Sequence, residues 1–289
     1  MIKTDVLVIG SSAAGLVAAT TGKRMNPGKK FTVVSSMPVT LIPCGIPYIF
    51  GTVGKSDNDI LPVEKMFSAI GIETIYDDAV AIDREKKSVE LKTGEVVSYE
   101  KLVIATGSIP YRPNWLEGAE LEHVFLVPKN KVYLDEMQEK LECCTRIIII
   151  GAGFIGVEVS DELHKAGKEV TLVEKLPNIL GLAFDSDLST RAEDILKQRG
   201  VEVITAVGVK RITGNGKADG VELEDGRKLK ADAVILSMGY KPNTDLAARS
   251  GLEISKSGFI KVDEYMRTED TDVFAIGDCA EKRDFFTRK

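Results

Sequence analysis

The sequence predicts an α/β chain built from two Rossmann-like dinucleotide-binding domains, and three observations carry that prediction. A glycine turn follows an apolar strand at Gly10-Ser-Ser-Ala-Ala-Gly15, and another does so at Gly151-Ala-Gly-Phe-Ile-Gly156. Each turn leads into a helix, a second strand, a meander of three short strands and a further apolar strand. That last strand ends in a glycine–proline segment, Gly107–Pro110 in the first copy and Gly239–Pro242 in the second, 132 residues later.

In the first copy, Asp5–Ile9 reads as a strand, Leu16–Lys23 as a helix and Phe31–Val34 as the next strand. The turn between strand and helix exposes backbone N–H groups and a helix N-terminus, a setting that binds pyrophosphate. Ser12 stands where the middle glycine of the fingerprint is expected, and Ser35 and Ser36 stand where a ribose-binding acid is expected. Pro62–Ala69 reads as a short helix. Strands near Val80–Ile82, Ser88–Leu91 and Val96–Tyr99 form the inserted meander, with the charge run Asp83–Lys87 as a solvated hairpin. Leu102–Ala105 leads into Thr106 and Gly107.

The second copy keeps every element. Ile147–Ile150 precedes the turn, a helix runs through Ala166, and a strand covers Val170–Val173. Glu174 closes that strand 23 residues after Gly151, near the spacing of about 20 at which a carboxylate meets the ribose hydroxyls and repels a 2′-phosphate. NADH is therefore expected over NADPH. Strands follow near Val209–Ile212, Gly220–Leu223, Lys228–Lys230 and Ala233–Leu236. The tail Asp272–Ala280 reads as a strand returning to the first domain, with Asp278 placed to bind a cofactor hydroxyl.

Composition excludes several classes. The net charge of −6 over 289 residues offers no basic surface for nucleic acid. No apolar run reaches the ~18 residues of a membrane span, and the first residues enter a strand directly, which leaves no room for a signal peptide. Cys44, Cys143, Cys144 and Cys279 form neither a disulfide framework nor a zinc spacing. With two histidines in the chain, His123 and His164, no metal site is expected. Both histidines are expected at solvent, Cys143 and Cys144 at the entry to a strand, and Cys279 in packing. A reducing cytoplasm is the expected location.

One thiol has a distinctive setting: Cys44 in Thr40-Leu-Ile-Pro-Cys-Gly-Ile-Pro-Tyr48. No cysteine lies five residues on, so its chemistry is that of a single thiol passing through a mixed disulfide, persulfide or sulfenic acid. A proline near the first turn of a following helix places Cys44 at a helix N-terminus, where its pKa is expected to fall.

In order, GSSAAG, TLIPCGIPY, IATGSIP, GAGFIGVE, SMGYKPNTDL and DVFAIGDCA resemble the pyridine nucleotide–disulfide oxidoreductases over essentially the whole chain. The single cysteine resembles the branch of coenzyme A-disulfide reductases, NADH-dependent per- and polysulfide reductases, and NADH oxidases and peroxidases. The resemblance implies FAD in a discontinuous domain of residues 1–112 and 245–289, and NAD(H) in residues 113–244. It carries Gly10, Ser12, Ala14, Gly15, Ser35, Ser36, Val80, Ala105, Thr106, Gly107, Gly277 and Asp278 to the FAD site. Gly151, Gly153, Phe154, Ile155, Gly156, Glu158, Glu174 and Gly239 go to the NAD site, with Phe154 and Glu158 near nicotinamide and flavin. It also makes Cys44 the redox thiol, attacking a small-molecule disulfide, persulfide or polysulfide and then being restored by electrons from NADH through FAD.

Other readings stay open at this point: reduction of oxygen or peroxide, or delivery of electrons to a small redox protein. Oxidase and peroxidase relatives carry a histidine in the first turn where this chain has Ala13, which favours sulfur substrates. Arg24 matches a phosphate-binding position of coenzyme A-using relatives and Thr40 a further substrate position, while Pro43 replaces their asparagine. The resemblance implies a dimer-interface domain after GDCA, which is expected to be absent from this chain, so the homodimeric state of full-length relatives is not carried over.

Overall fold

A computed structural model describes residues 1–282. The chain divides into two compact units. The first comprises residues 1–43, 61–109 and the described residues from 241 onward, and the second residues 44–60 and 110–240; the last seven residues of the stretch 245–289 expected for the first domain lie outside the described residues.

The first unit is built on a parallel five-stranded sheet in the order Val273–Ala275, Lys101–Ile104, Val6–Ile9, Phe31–Ser35, Glu73–Tyr76. The inner strands read as nearly continuous apolar runs because both faces are covered: Leu7, Val8, Val33 and Leu102 have no exposed surface. Helix α1, Ala13–Met25, follows the glycine turn and buries Gly15, Leu16 and Ala19 against one face. Helix α2, Val63–Ser68, adds Val63 and the fully buried Phe67. The meander Ala79–Asp83, Ser88–Leu91, Val96–Ser98 is antiparallel as expected, and Ile2–Lys3 joins it in parallel beside Val97 and Ser98. Leu102–Ile104 pairs directly with Val273–Ala275, so the tail strand does complete this sheet.

The second unit repeats the plan. Its parallel sheet runs Val124–Phe125, Ala233–Leu236, Arg146–Ile150, Glu169–Val173, Glu202–Ile204, and its meander is Val209–Asn215, Lys217–Leu223, Lys228–Lys230. Here the fifth strand, Val124–Phe125, comes before the glycine turn in sequence. In the first unit the equivalent strand comes last. The same sheet is thus closed from opposite ends of the chain, which is why the first unit is discontinuous and residues 110–240 are not.

Three further helices belong to this unit: α3, Lys131–Glu142; α4, Phe154–Lys165; and α5, Ser186–Gln198. Asn130 and Asp185 cap α3 and α5 by accepting the Tyr133 and Leu188 N–H groups.

Residues 44–60 fall inside the stretch expected for the first domain, yet they pack in the second unit. Gly51 approaches the α4 backbone so closely that a Cβ there would stand 2.4 Å from the Glu162 carbonyl oxygen. The Thr52 N–H donates to Glu162 Oε2 at 2.5 Å, and Gln138 of α3 donates to the carbonyls of Ile49 and Gly54.

His123 departs from its expected solvent exposure. It is 6% exposed, with Nδ1 at 3.1 Å from the Asp232 carbonyl, in a turn at φ +64° that leads into the edge strand Val124–Phe125. His164 is half-buried, its Nδ1 at 3.3 Å from the Lys168 carbonyl. Cys143 is exposed and Cys144 buried, and burial followed by its neighbour Cys143 pushes the Cys144 thiol up to about 11. Cys279 is fully buried and bonds to the Ile104 and Ile276 carbonyls. Among the described residues no helix is long and apolar enough to cross a membrane.

Candidate dinucleotide sites and the Cys44 segment

The two glycine turns have matching backbones. Gly10 and Gly151 adopt φ of +110° and +100°, in the region that favours glycine. A Cβ on Gly10 would stand 2.3 Å from the Ala105 carbonyl oxygen, and one on Gly151 would stand 2.4 Å from that of Ser237. The third glycines are equally constrained, since a Cβ on Gly15 or Gly156 would meet the carbonyl of Gly10 or Gly151 at 1.9 Å. The middle position differs. Ser12 (φ −75°, ψ −171°) and Gly153 (φ −72°, ψ −175°) share an extended backbone that any residue adopts. A Cβ at Gly153 faces open space, so glycine there leaves room for a ligand and is not demanded by the turn. Ser12 is compatible with the same turn and is half-buried.

The residue that ends the second strand cross-links each turn. Glu174 accepts the Ala152 N–H at 2.7 Å and the Leu176 N–H at 2.8 Å, one on each carboxylate oxygen. By strand register Ser35 is its counterpart, and Ser35 Oγ lies 2.7 Å from Ser11 Oγ, the counterpart of Ala152. Ser11 Oγ is also 3.0 Å from Thr40 Oγ1, and Ser35 donates to the Met37 carbonyl at 2.9 Å. Neutral hydroxyls therefore do in the first unit what a carboxylate does in the second. Ser35 is 4% exposed, so it supports the turn, and Ser36 is the exposed member of the pair.

Of the remaining candidates of the first unit, Gly277 and Ala105 lie against its turn, whereas Val80 is in the meander and Arg24 is at the other end of α1. A Cβ on Gly277, at φ +74°, would meet Ala14 Cβ at 2.8 Å, which brings the 277–279 turn against the start of α1. Asp278 is exposed there and accepts from Ser108 Oγ at 2.9 Å. Thr106 Oγ1 donates to the Asn243 carbonyl at 2.6 Å, the Asn243 N–H bonds the Gly107 carbonyl, and Ala105 packs under Gly10. Val80 lies at the register irregularity between Ala79 and Ala81 and is 36% exposed. Arg24 is exposed at the end of α1, where Lys23 instead donates to the Pro27 and Lys29 carbonyls.

In the second unit the turn opens into a cavity of about 680 Å³ lined by Gly151, Gly153, Phe154, Glu174, Met238 and Gly239 among others. That volume lies within the range of small-ligand sites. Phe154 is 54% exposed and meets Phe184 edge-on, the rings 5.8 Å apart. Sequence reasoning missed Trp115, which also lines the cavity and is the sole tryptophan of the chain. The open side of Gly153, the free N-terminus of α4 and Glu174 fit a dinucleotide with a ribose at the carboxylate.

The Cys44 segment lies along the side of the same helix. Cys44 is exposed, and Gly45 caps a five-residue 3-10 helix, Ile46–Phe50. The helix expected after Cys44 is thus a short, tight one, with a smaller dipole than a full α-helix supplies. Its anchor, Glu162, is 1% exposed. Burial raises the Glu162 pKa, but the Lys165 ammonium at 2.7 Å and the Thr52 N–H outweigh it and hold the carboxyl below its usual value. Glu158 sits one turn earlier on that helix face, half-buried, and burial pushes its carboxyl up. Ile155 is half-buried in the first turn. Among the described residues no group of three or more His, Cys, Asp or Glu side chains could hold a metal.

Known proteins are similar to this chain over nearly its whole length. An NADH oxidase of Methanocaldococcus jannaschii is 30% identical over 97% of this chain and 64% of its own length. A CoA-dependent NAD(P)H sulfur oxidoreductase of Pyrococcus furiosus is 34% identical over all of this chain and 66% of its own length. The structure of an NAD-dependent persulfide reductase from A. fulgidus matches with a TM-score of 0.91 and 34% identity, covering 99% of this chain and 55% of that one. The chain thus spans a little under two thirds of the length of the curated relatives it matches. With residues 4–287 matching the pyridine nucleotide-disulphide oxidoreductase model, the chain belongs to that family.

Proposed function

We propose that this chain carries the dinucleotide-binding units of an FAD-dependent, NADH-consuming reductase whose single redox thiol is Cys44 and whose substrate is coenzyme A disulfide or a per- or polysulfide. One observation carries the reading: α4 begins at a glycine turn facing a cavity of about 680 Å³, and the Cys44 segment is bonded to the side of that helix. FAD and NADH, when bound, supply two-electron hydride chemistry. This chain's residues do the rest. Glu174 and the α4 N-terminus orient the ribose and pyrophosphate of NADH, and Phe154 walls the cavity. The glycine turn of the first unit, with Ser12, Thr106, Gly107 and Asp278, holds FAD.

Cys44, exposed and without a neighbouring thiol partner in sequence, attacks a substrate sulfur and forms a mixed disulfide as one thiol departs. Ala13 and the sulfur oxidoreductase and persulfide reductase relatives support a sulfur acceptor. Arg24, an exposed cation, is the candidate contact for a substrate phosphate, and Thr40 a neutral one already tied to Ser11. The NADH oxidase relative supports a second reading in which oxygen or peroxide is the acceptor.

The test compares NADH consumption with coenzyme A disulfide, polysulfide, peroxide and oxygen, for the wild type and Cys44→Ser. The variant is expected to lose sulfur turnover while still reducing ferricyanide with NADH. Sulfur turnover retained by Cys44→Ser would sink the assignment, and turnover with oxygen alone would establish the second reading.

A further inference from the structure

Among the described residues, the cavity of the second unit is lined by three charged side chains: Glu174, Lys175 and Glu224. The ribose contact gives the first of them a task and leaves the other two unused. Lys175 is the cavity's one cation among the described residues, and it is engaged: its ammonium donates to Glu224 Oε1 at 3.0 Å. Glu224 is itself seated on a buried glycine. A Cβ built on Gly208 would stand 2.7 Å from the Glu224 Cδ and 2.8 Å from each of its carboxylate oxygens. Gly208 lies outside the positive-φ region, so its backbone does not call for glycine. What the missing side chain leaves is the space that the acid fills.

Main-chain bonds hold these residues at one end of the cavity. The Glu174 carbonyl accepts the Val207 N–H at 3.2 Å, and the Leu176 carbonyl accepts the Ala206 N–H at 2.9 Å. The Glu224 N–H donates to the Gly208 carbonyl at 2.9 Å. Residues 174–176 therefore run beside 206–208, and 224 is fastened to 208. With the cavity as the NADH site, Glu174 marks the adenosine ribose. A phosphate on the 2′-oxygen of that ribose needs a cation close by. Lys175, the next residue, has a flexible four-carbon stem and a point charge suited to phosphate.

Resting on that NADH reading, we propose that Glu224 is a specificity-determining residue, which acts by holding Lys175 away from a 2′-phosphate. NADPH then meets two carboxylates and a lysine already engaged, whereas the neutral 2′-hydroxyl of NADH makes no demand on that lysine. Discrimination has two layers: Glu174 repels the phosphate, and Glu224 withdraws its one counter-charge. An exposed ion pair adds little to stability, so removing Glu224 alters selectivity with little effect on the fold.

Isothermal titration calorimetry with NAD⁺ and NADP⁺, which bring no hydride to the flavin, reads binding apart from turnover. Glu224→Gln releases Lys175, and the ratio of the NADP⁺ Kd to the NAD⁺ Kd is expected to fall about three- to tenfold, the scale of one ion pair. The fall should shrink in about 1 M salt, where screening acts within about 3 Å. Gly208→Ala, which crowds the carboxylate off its seat but keeps its charge, should lower the ratio in the same direction. Adding Lys175→Met to Glu224→Gln should cancel the gain. A ratio unchanged in Glu224→Gln overturns the proposal, as does a fall that persists in the double variant, which marks the lost negative charge alone. If neither nucleotide binds the wild type, the NADH reading of the cavity fails, and the proposal with it.

Discussion

Glu174→Gln is the substitution that most directly interrogates the second dinucleotide site. The wild-type carboxylate accepts two backbone N–H groups at 2.7 and 2.8 Å, and these bonds fix the turn residue Ala152 and the start of the following loop at Leu176. The glutamine amide has the same shape but one acceptor oxygen, so its NH₂ must face one of the two N–H donors. Hydrogen bonds to a charged partner contribute about 1.5–3 kcal/mol each, and one of them is lost with the charge. If NADH reads the shape of this turn, its Kd should rise by about 10- to 150-fold. NADPH should suffer less, because its 2′-phosphate no longer meets a carboxylate, so discrimination between the two should narrow. Trp115 gives the assay: as the sole tryptophan and part of the cavity lining, its emission should be quenched as NADH binds. A Kd for NADH within twofold of wild type, in a protein with unchanged melting temperature, would refute the argument that Glu174 organises this site.

Two other outcomes follow from named contacts. Glu162→Ala removes the acceptor of the Thr52 N–H and one partner of Lys165, which keeps Asp161 at 2.8 Å; the loss should cost about 1–3 kcal/mol and raise Cys44 alkylation severalfold at fixed pH, whereas an unchanged rate would mean that the segment is held by other contacts. Asp272 sits just before the returning strand, and the ammonium groups of Lys101 and Lys87 hold its carboxyl down at about 2. Its folded pKa lies below the unfolded value of about 3.9, so its contribution is present above that pH and lost as pH falls toward 2. Asp272→Asn should therefore flatten the fall of melting temperature between about pH 4 and pH 2, and an unaltered acid slope would remove Asp272 from the account.

Both glycine turns were legible because steric demands at Gly10, Gly15, Gly151 and Gly156 are absolute: each Cβ would lie within 2.5 Å of a carbonyl oxygen. Ser12 looked like a weakness in the motif and is not one, since the backbone there is extended. Glu174 was read from spacing as a ribose ligand; its two backbone bonds are a tertiary fact that spacing does not encode. The α3 stripe of Leu134, Met137 and Leu141 after the Asn130 cap was a signal available in the sequence and left unread. α5 likewise carries Leu188, Ala192, Ile195 and Leu196 at helical spacing, a stripe left unread although only Leu196 of the four is buried. Nothing local could have shown that His123, Glu162 and Asp59 are buried, because their environments are made by residues distant in sequence. The same holds for the packing of residues 44–60, which turns on Gly51 meeting a helix more than a hundred positions away.

The duplicated plan also explains a difference between its copies. In the second unit a charged Glu174 ties the strand to the turn, and in the first the neutral pair Ser35 and Ser11 does so, extended by Thr40. A carboxylate makes stronger bonds to backbone N–H groups and has acceptor capacity left for a ribose, whereas a buried serine that is already engaged has little. Asp278 follows the strand Val273–Ala275 and Gly277, which lies against Ala14 of the turn, and its carboxylate accepts from Ser108. Closing this sheet with its last strand, where the second unit uses an early one, therefore does more than complete a core. It brings Gly277, with Asp278 next in the chain, to a glycine turn whose own second strand ends in serine.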